Sequence, residues 1–487
     1  VPEHVDIAIV GAGFGGLGMA INLERAGYRG FVVLERAADV GGTWFANTYP
    51  GCQCDVQSDL YSFSFAPNPD WTHSFPEQPQ ILEYLRDCVT RFGIGDRIRL
   101  NCELTRAAWD GDGRRWQIET PEGPLTARIL VAAPGLLSEP ALPLIPGLDE
   151  FPGRLFHTAR WDHDHDLSGE RVALLGTGAT AVQVAPRIQP KVARLSVFQR
   201  TPPWVLPHPD REIGERQKRL YRAVPLAQKL SRGLVYTLRE GYVLGMVVEP
   251  RILRLFEARA KRHMEKQVAD PALREKLIPD YAIGCKRILL SNDWYPAITA
   301  PNAELVTDLI TEVDGNAIRT ADGTVREFDT IILATGFSPT DPPIARRLRG
   351  ADGRTLSERW QGSPQAYLGT TVAGFPNLFM LYGPNLNLGH SSIVYMLESQ
   401  IGYVMEALRA MDGRGAETLE VKPDVQDAWN DYLQQRLAGT VWDTGGCSSW
   451  YLDKNGRDSV MWPDFTFRFR RRMSEFDAGE YRLEQAA

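Results

Sequence analysis

Gly11-Ala12-Gly13-Phe14-Gly15-Gly16 is the stretch whose reading decides the fold. It follows the apolar run Asp6-Ile7-Ala8-Ile9-Val10, which reads as a buried parallel strand, and precedes a helical stretch over 17–26. Phe31-Val32-Val33-Leu34 reads as a second strand ending at Glu35, 24 residues after Gly11. A glycine turn between strand and helix cradles a pyrophosphate on backbone N–H groups, and an acid ending the second strand accepts bonds from ribose hydroxyls. The pattern recurs 165 residues later. Arg171-Val172-Ala173-Leu174-Leu175 leads into Gly176-Thr177-Gly178-Ala179-Thr180-Ala181, and Leu195-Ser196-Val197-Phe198 leads to Arg200, again 24 residues on. A guanidinium in place of the acid suits a 2′-phosphate. One dinucleotide without the extra phosphate (FAD or NAD) and one with it (NADP) are expected. That pairing points to a flavoprotein fed by NADPH.

Ile129-Leu130-Val131-Ala132-Ala133, followed by Pro134-Gly135, resembles Thr330-Ile331-Ile332-Leu333-Ala334-Thr335-Gly336, as a repeated nucleotide-binding plan requires. Prolines 134, 140, 143 and 146 mark a linker up to Gly147. From about Glu212 to Leu277 the texture becomes helical, rich in Arg, Leu, Glu and Ala. Leu378 to Tyr382 reads as another strand, 391–411 as a helix, and Arg470-Arg471-Arg472 as a solvated strand end. The expected fold is α/β, with two Rossmann-like domains and a helical insertion in the second. Residues 1–140 and 340–487 form the FAD domain and tail, 141–207 and 283–339 the NADP domain, and 208–282 the insertion.

The 487 residues suffice for two or three domains, and a net charge of −7 gives no general attraction to nucleic acid or anionic membrane. Small-molecule partners are expected. The most apolar run, Gly233 to Val248, is interrupted by Arg239 and Glu240, so no integral membrane span is expected. The first residues run into a strand, leaving no room for a signal peptide in this sequence. Six scattered cysteines suit a reducing cytoplasm. Cys52 and Cys54, separated by one residue, read as buried or loop thiols rather than a redox pair or metal knuckle.

Phe151-Pro152-Gly153-Arg154-Leu155-Phe156-His157-Thr158-Ala159-Arg160-Trp161-Asp162 resembles the fingerprint of the Type I Baeyer–Villiger monooxygenases. Phe151, Gly153, His157, Trp161 and Asp162 occupy its defining positions, whereas related N- and S-oxygenating flavin monooxygenases usually end it with Tyr and a basic residue. Gly42-Thr43-Trp44, Tyr49-Pro50-Gly51 and Asp55 match a second motif of the family. Together with both glycine loops, the resemblance spans nearly the whole chain. It implies that His157 and Trp161 link the two nucleotide domains rather than do chemistry. The neighbouring Asp162-His163-Asp164-His165-Asp166 reads as an exposed turn rather than a metal site.

The resemblance implies a reaction in which NADPH reduces FAD and O₂ adds at the flavin C(4a) carbon. The resulting peroxide attacks a ketone and yields an ester or lactone, with sulfoxidation as a side activity. A cation that cannot lose its proton suits this chemistry, and a donor aimed at developing charge is worth about 3–4 kcal/mol. Arg287, in Gly284-Cys285-Lys286-Arg287, matches the family's catalytic arginine, with Asp55 as its orienting partner. For FAD the expected residues are Gly11, Gly13, Phe14, Gly16, Glu35, Arg36, Thr43, Trp44 and Tyr61. For NADP they are Thr177, Gly178, Ala179, Thr180, Arg200, Thr201 and Lys286, with Gln53 and Asp55 on the nicotinamide side and Trp450 closing over it. Arg287 is itself expected among the cofactor-binding residues. Trp204, Tyr236, Tyr242, Phe256 and Trp442 could wall a ketone pocket, but each reads individually as core.

Three other functions compete. An N- or S-hydroxylating flavin monooxygenase shares the fold, but Trp161-Asp162 and the Asp55/Arg287 pair disfavour it. A disulfide reductase needs a CxxxxC pair that the sequence lacks. A flavin-dependent sensor would show no ketone-dependent turnover.

Overall fold

The computed structural model describes residues 2–137 and 139–485. The first glycine loop closes β1 (Glu3–Val10) and opens α1 (Phe14–Arg25), and β2 (Phe31–Leu34) pairs parallel with β1, Val10 against Leu34. Gly11 is held at φ +95°, and a Cβ there would lie 2.5 Å from the Ala133 carbonyl oxygen. At Gly16 a Cβ would stand 1.8 Å from the Gly11 carbonyl oxygen, so only glycine lets helix and loop approach this closely. Thr43–Ala46 (α2) and Gln78–Phe92 (α3) follow, then β3 (Ile98–Arg99) and the antiparallel run β4 (Arg106–Asp110), β5 (Arg115–Thr120) and β6 (Gly123–Ala132).

The sheet runs in the order Leu348–Arg349, β4, β5, β6, β1, β2, β3. β6 has two partners on one side. Its first half pairs with β5, and its second half receives Leu378–Met380 in parallel register, Leu378 against Leu130. The chain therefore leaves this sheet after Ala132 and returns to it more than two hundred residues later.

The second sheet is wholly parallel. Its order is Ala303–Val306, β9 (Arg194–Phe198), β8 (Arg171–Leu175), Thr330–Leu333 and β7 (Arg154–His157). The second glycine loop joins β8 to α4 (Ala179–Ile188) and repeats the first. Gly176 has φ +119°, and a Cβ there would meet the Ala334 carbonyl at 2.4 Å. Ala133 and Ala334, at corresponding strand ends, thus play the same part. The 212–277 segment is helical as expected: α5 (Glu215–Ala223), α6 (Pro225–Glu240), a π turn at Leu244–Val248, then helices Arg254–Gln267 and Pro271–Leu277. The long helix Ile393–Arg414 packs on α1.

One element differs from its sequence reading. Arg470, Arg471 and Arg472 lie in helix Thr466–Met473, not on a strand, because Phe469 and Met473, four apart, bury one helical face. Arg470 lies 4.3 Å from the Tyr395 ring centroid, and Arg472 pairs with Glu480.

Gly16→Ala should destabilise the protein by on the order of 3 kcal/mol, since its methyl meets backbone that cannot yield. Urea unfolding of the variant checks this; an unchanged midpoint would contradict the contact.

Candidate functional site

Both glycine-loop helices begin without a side-chain cap: Gly13 and Gly178 stand at their N-caps and offer none. Their first N–H groups are left for an anion. At the first loop, Glu35 is buried at the end of β2. Its carboxylate accepts from the N–H groups of Ala12 (2.6 Å) and Ala37 (2.8 Å), which fix it beside the turn with acceptor capacity to spare. Arg36 pairs with Glu139 at the rim. Below the loop, Phe14 meets Tyr61 edge-on at 5.2 Å, and the Trp44 indole donates to the Tyr61 hydroxyl at 3.1 Å. Thr43 opens the short helix α2 directly after Gly42.

At the second loop, the Thr177 hydroxyl donates to the Thr201 carbonyl (2.8 Å), tying the turn to the segment after Arg200. Among the described residues neither Arg200 nor Lys286 is ion-paired. Lys286 lies over the Tyr281 ring at 5.0 Å, and its pKa is lowered first by burial and then by the Arg200 charge. The Asp280 carboxylate acts on Lys286 in the opposite direction and does not offset these two effects.

The centre of the site is Asp55 with Arg287. The guanidinium donates through Nε and Nη2 to the two carboxylate oxygens, each at 2.5 Å. Among the described residues its Nη1 has no acceptor, and the side chain keeps 38% of its exposure. Burial would raise the Asp55 carboxyl, but the Arg287 charge overrides it and holds that pKa below the usual range. Asp55 in turn raises the pKa of Arg287, which therefore stays charged. A third group, missed in the sequence, completes the cluster. Arg239, from α6, donates to the Asp55 backbone carbonyl and to Gln57 Oε1, each at 2.7 Å. Its only signal was its position as a charge inside an otherwise apolar run.

Other expected residues are placed less directly. Gln53 donates to the Phe75 carbonyl and to Asp210, so its amide N–H groups are engaged. Gln183 of α4 accepts from the Tyr49 hydroxyl and donates to the Gln53 carbonyl, joining the two nucleotide units. His157 is buried at the end of β7. Its Nδ1 accepts from Ala159 N–H, and burial pushes its pKa down to about 4. Phe151 is buried against the second sheet, and a Cβ on Gly153 would meet the Asp329 carbonyl at 2.3 Å. Trp161 packs edge-on against Phe156, and Asp162 lies 3.8 Å from Arg154. His163 bonds Thr48, whereas His165 bonds Glu170 and Thr330. Trp450 is 40% exposed and packs on Tyr451.

Trp204 and Trp442 are buried in one cluster with Cys285, while Tyr242 packs on Phe256 and Tyr236 stacks on Tyr395. Cys52 and Cys54 are buried free thiols; burial pushes Cys52 up to about 12 and raises Cys54 as well. The cysteine reading needs one correction. Cys285 and Cys447, 162 residues apart, form a disulfide that fastens the tail to the residue just before Lys286-Arg287. Local spacing could not reveal that pair.

Two uncapped glycine-loop helices, each after a parallel strand, are the plan of an oxidoreductase with two dinucleotide-binding units. Residues 8–217 match the family model described as pyridine nucleotide-disulphide oxidoreductase. The chain is 51% identical to a Baeyer–Villiger monooxygenase of Streptomyces coelicolor, across all of this chain and 94% of that one. It is similar to cyclohexanone monooxygenase from Rhodococcus sp. Phi1 bound to NADP+ (TM-score 0.89, 28% identity, all of both chains). It is also similar to a complex of OTEMO with FAD and NADP (TM-score 0.89, 26% identity, 99% of this chain and all of that one). The chain belongs to the Baeyer–Villiger monooxygenases. No helix among the described residues is long and apolar enough to cross a membrane.

Two measurements check this geometry. Unfolded without reductant, the protein should present four titratable thiols, and six after reduction. The depressed His157 pKa means that the unfolded state binds its proton first on acidification. Stability from this group is therefore full above about pH 6.5 and lost between there and about pH 4, to the extent of about 3 kcal/mol. His157→Gln should flatten that part of the stability–pH curve in urea titrations.

Proposed function

We propose that this protein uses NADPH and molecular oxygen to insert one oxygen atom beside a ketone carbonyl, giving an ester or lactone. The observation that carries the reading is the Arg287 guanidinium, locked by two bonds to Asp55 with Nη1 left free. The cofactor fit supports it. The two uncapped glycine-loop helices would take the pyrophosphates, and Glu35, a ribose. The Arg200/Lys286 pair would take the 2′-phosphate. Thr43, Trp44, Phe14 and Tyr61 would form the bed beside the FAD. Thr177 to Thr180 and Thr201 would line the NADP site, with Gln53 behind the nicotinamide and Trp450 as a mobile cover. The corresponding division is an FAD domain (1–140 and 340–487), an NADP domain (141–207 and 283–339) and the insertion (208–282).

FAD, reduced by NADPH, supplies the electrons and the oxygen-activating ring. The protein's own contribution is electrostatic. Asp55 fixes the Arg287 rotamer and keeps the guanidinium charged at every working pH. Nη1 then offers a pre-aimed donor to an oxygen that gains negative charge as the ketone carbon is attacked. Arg239 donates to the Asp55 carbonyl and so anchors the backbone that carries the carboxylate. Neutral, buried His157 would position the link between the nucleotide units rather than carry protons.

Arg287→Ala should leave NADPH oxidation running while ester formation falls by about 10³-fold and hydrogen peroxide appears instead. Gas chromatography of ketone products alongside a peroxide assay reads both. Normal ester yield would remove Arg287 from the chemistry. Hydroxylamine without ester, across a ketone and amine panel, would assign the chain to N-hydroxylation instead.

A further inference from the structure

Helix α6 is built inside out. Leu226, Leu230, Leu234 and Leu238, four residues apart, are 62, 66, 62 and 64% exposed. The same helix turns its polar groups inward. Gln228 donates to the Asn68 carbonyl, Ser231 to Asp59, Arg232 to the Asp59 and Ser62 carbonyls, and Arg239 to Asp55. The single charge on the leucine face is Lys229. The apolar surface continues beyond the helix, where Leu244 and Val248 are 47 and 61% exposed. A surface helix normally hides its leucines, and an uncovered apolar stripe of this length marks a place of contact.

Charge says what covers it. The chain is acidic as a whole, at −7, yet 215–249, from the start of α5 past the π turn, contains seven Lys or Arg and three acids, Glu215, Glu240 and Glu249. Of these, Glu240 is buried and accepts from Thr466 and His390, and Glu215 is paired with Lys218. Arg216 and Arg219 of the neighbouring α5 are exposed, as is Lys229 on the leucine face. A second copy docked face to face would bring these cations against their equivalents. A sheet of anionic headgroups would neutralise them while the leucines enter the acyl boundary.

We propose that α6, flanked by α5, is a peripheral docking face for an anionic lipid bilayer. The helix lies in the plane of the headgroups, leucines down. The whole-chain charge hides this face because the cations are concentrated in one insertion. Docking would also place the helix that carries Arg239, and so one wall of the Asp55–Arg287 centre, against the phase where apolar ketones dissolve.

The test is co-sedimentation of the flavin-loaded enzyme with phosphatidylglycerol or phosphatidylcholine vesicles. Partitioning onto the anionic vesicles should exceed that onto neutral ones by roughly tenfold or more, and should weaken as salt rises. Changing Leu226, Leu230, Leu234 and Leu238 to Gln should lower anionic-vesicle binding by roughly tenfold or more. Arg216→Glu/Arg219→Glu/Lys229→Glu should abolish the preference for phosphatidylglycerol. Both variants should oxidise a water-soluble ketone in vesicle-free buffer as the parent does, which shows that they fold. Equal sedimentation by the parent and the leucine variant would overturn the proposal. So would a parent dimer in sedimentation equilibrium that the leucine variant converts to monomer, since a second copy would then own the stripe.

Discussion

A half-buried guanidinium is held in one place where a carboxylate meets it with good geometry, and the Asp55–Arg287 pair gathers distant parts of the chain around that contact. Asp55 comes from the loop after the first glycine-loop unit, and Arg287 from the return of the insertion, 232 residues later. Arg239 reaches the Asp55 carbonyl from α6, and the Cys285–Cys447 disulfide holds the tail beside the loop that carries Arg287. The two nucleotide units, the insertion and the tail are therefore tied at one point. Relative motion of the units must either carry this pair intact or break it at high cost.

What could be read beforehand follows from the range of the forces involved. The glycine loops, the strands Phe31–Leu34 and Arg171–Leu175 and the helical texture of 212–277 obey local rules of periodicity and backbone freedom, and they stand where those rules put them. Nothing local connects Asp55 to Arg287; only the family motif did. Arg239 looked like an interruption because a charge in an apolar run shows no partner until the helix is seated. The Cys285–Cys447 pairing was invisible for the same reason, since loops of that length leave no spacing signature. The Arg470–Arg472 run was misread because its three charges outweighed the quieter spacing of Phe469 and Met473.

The two partners of β6 have a consequence for how the protein is made. When Ala132 leaves the ribosome, β1, β2 and the antiparallel run are present, but the second half of β6 has an open edge. Its cover, Leu378–Met380, follows after nearly 250 residues, roughly 12–50 seconds of synthesis. During that interval the nascent chain displays an unpaired apolar ladder, the kind of edge that invites wrong neighbours. The second parallel sheet, whose strands all lie between Arg154 and Leu333, can close first. The order in which the two sheets can be completed thus reverses the order in which they begin, since the last strand of the first sheet is synthesised after every strand of the second.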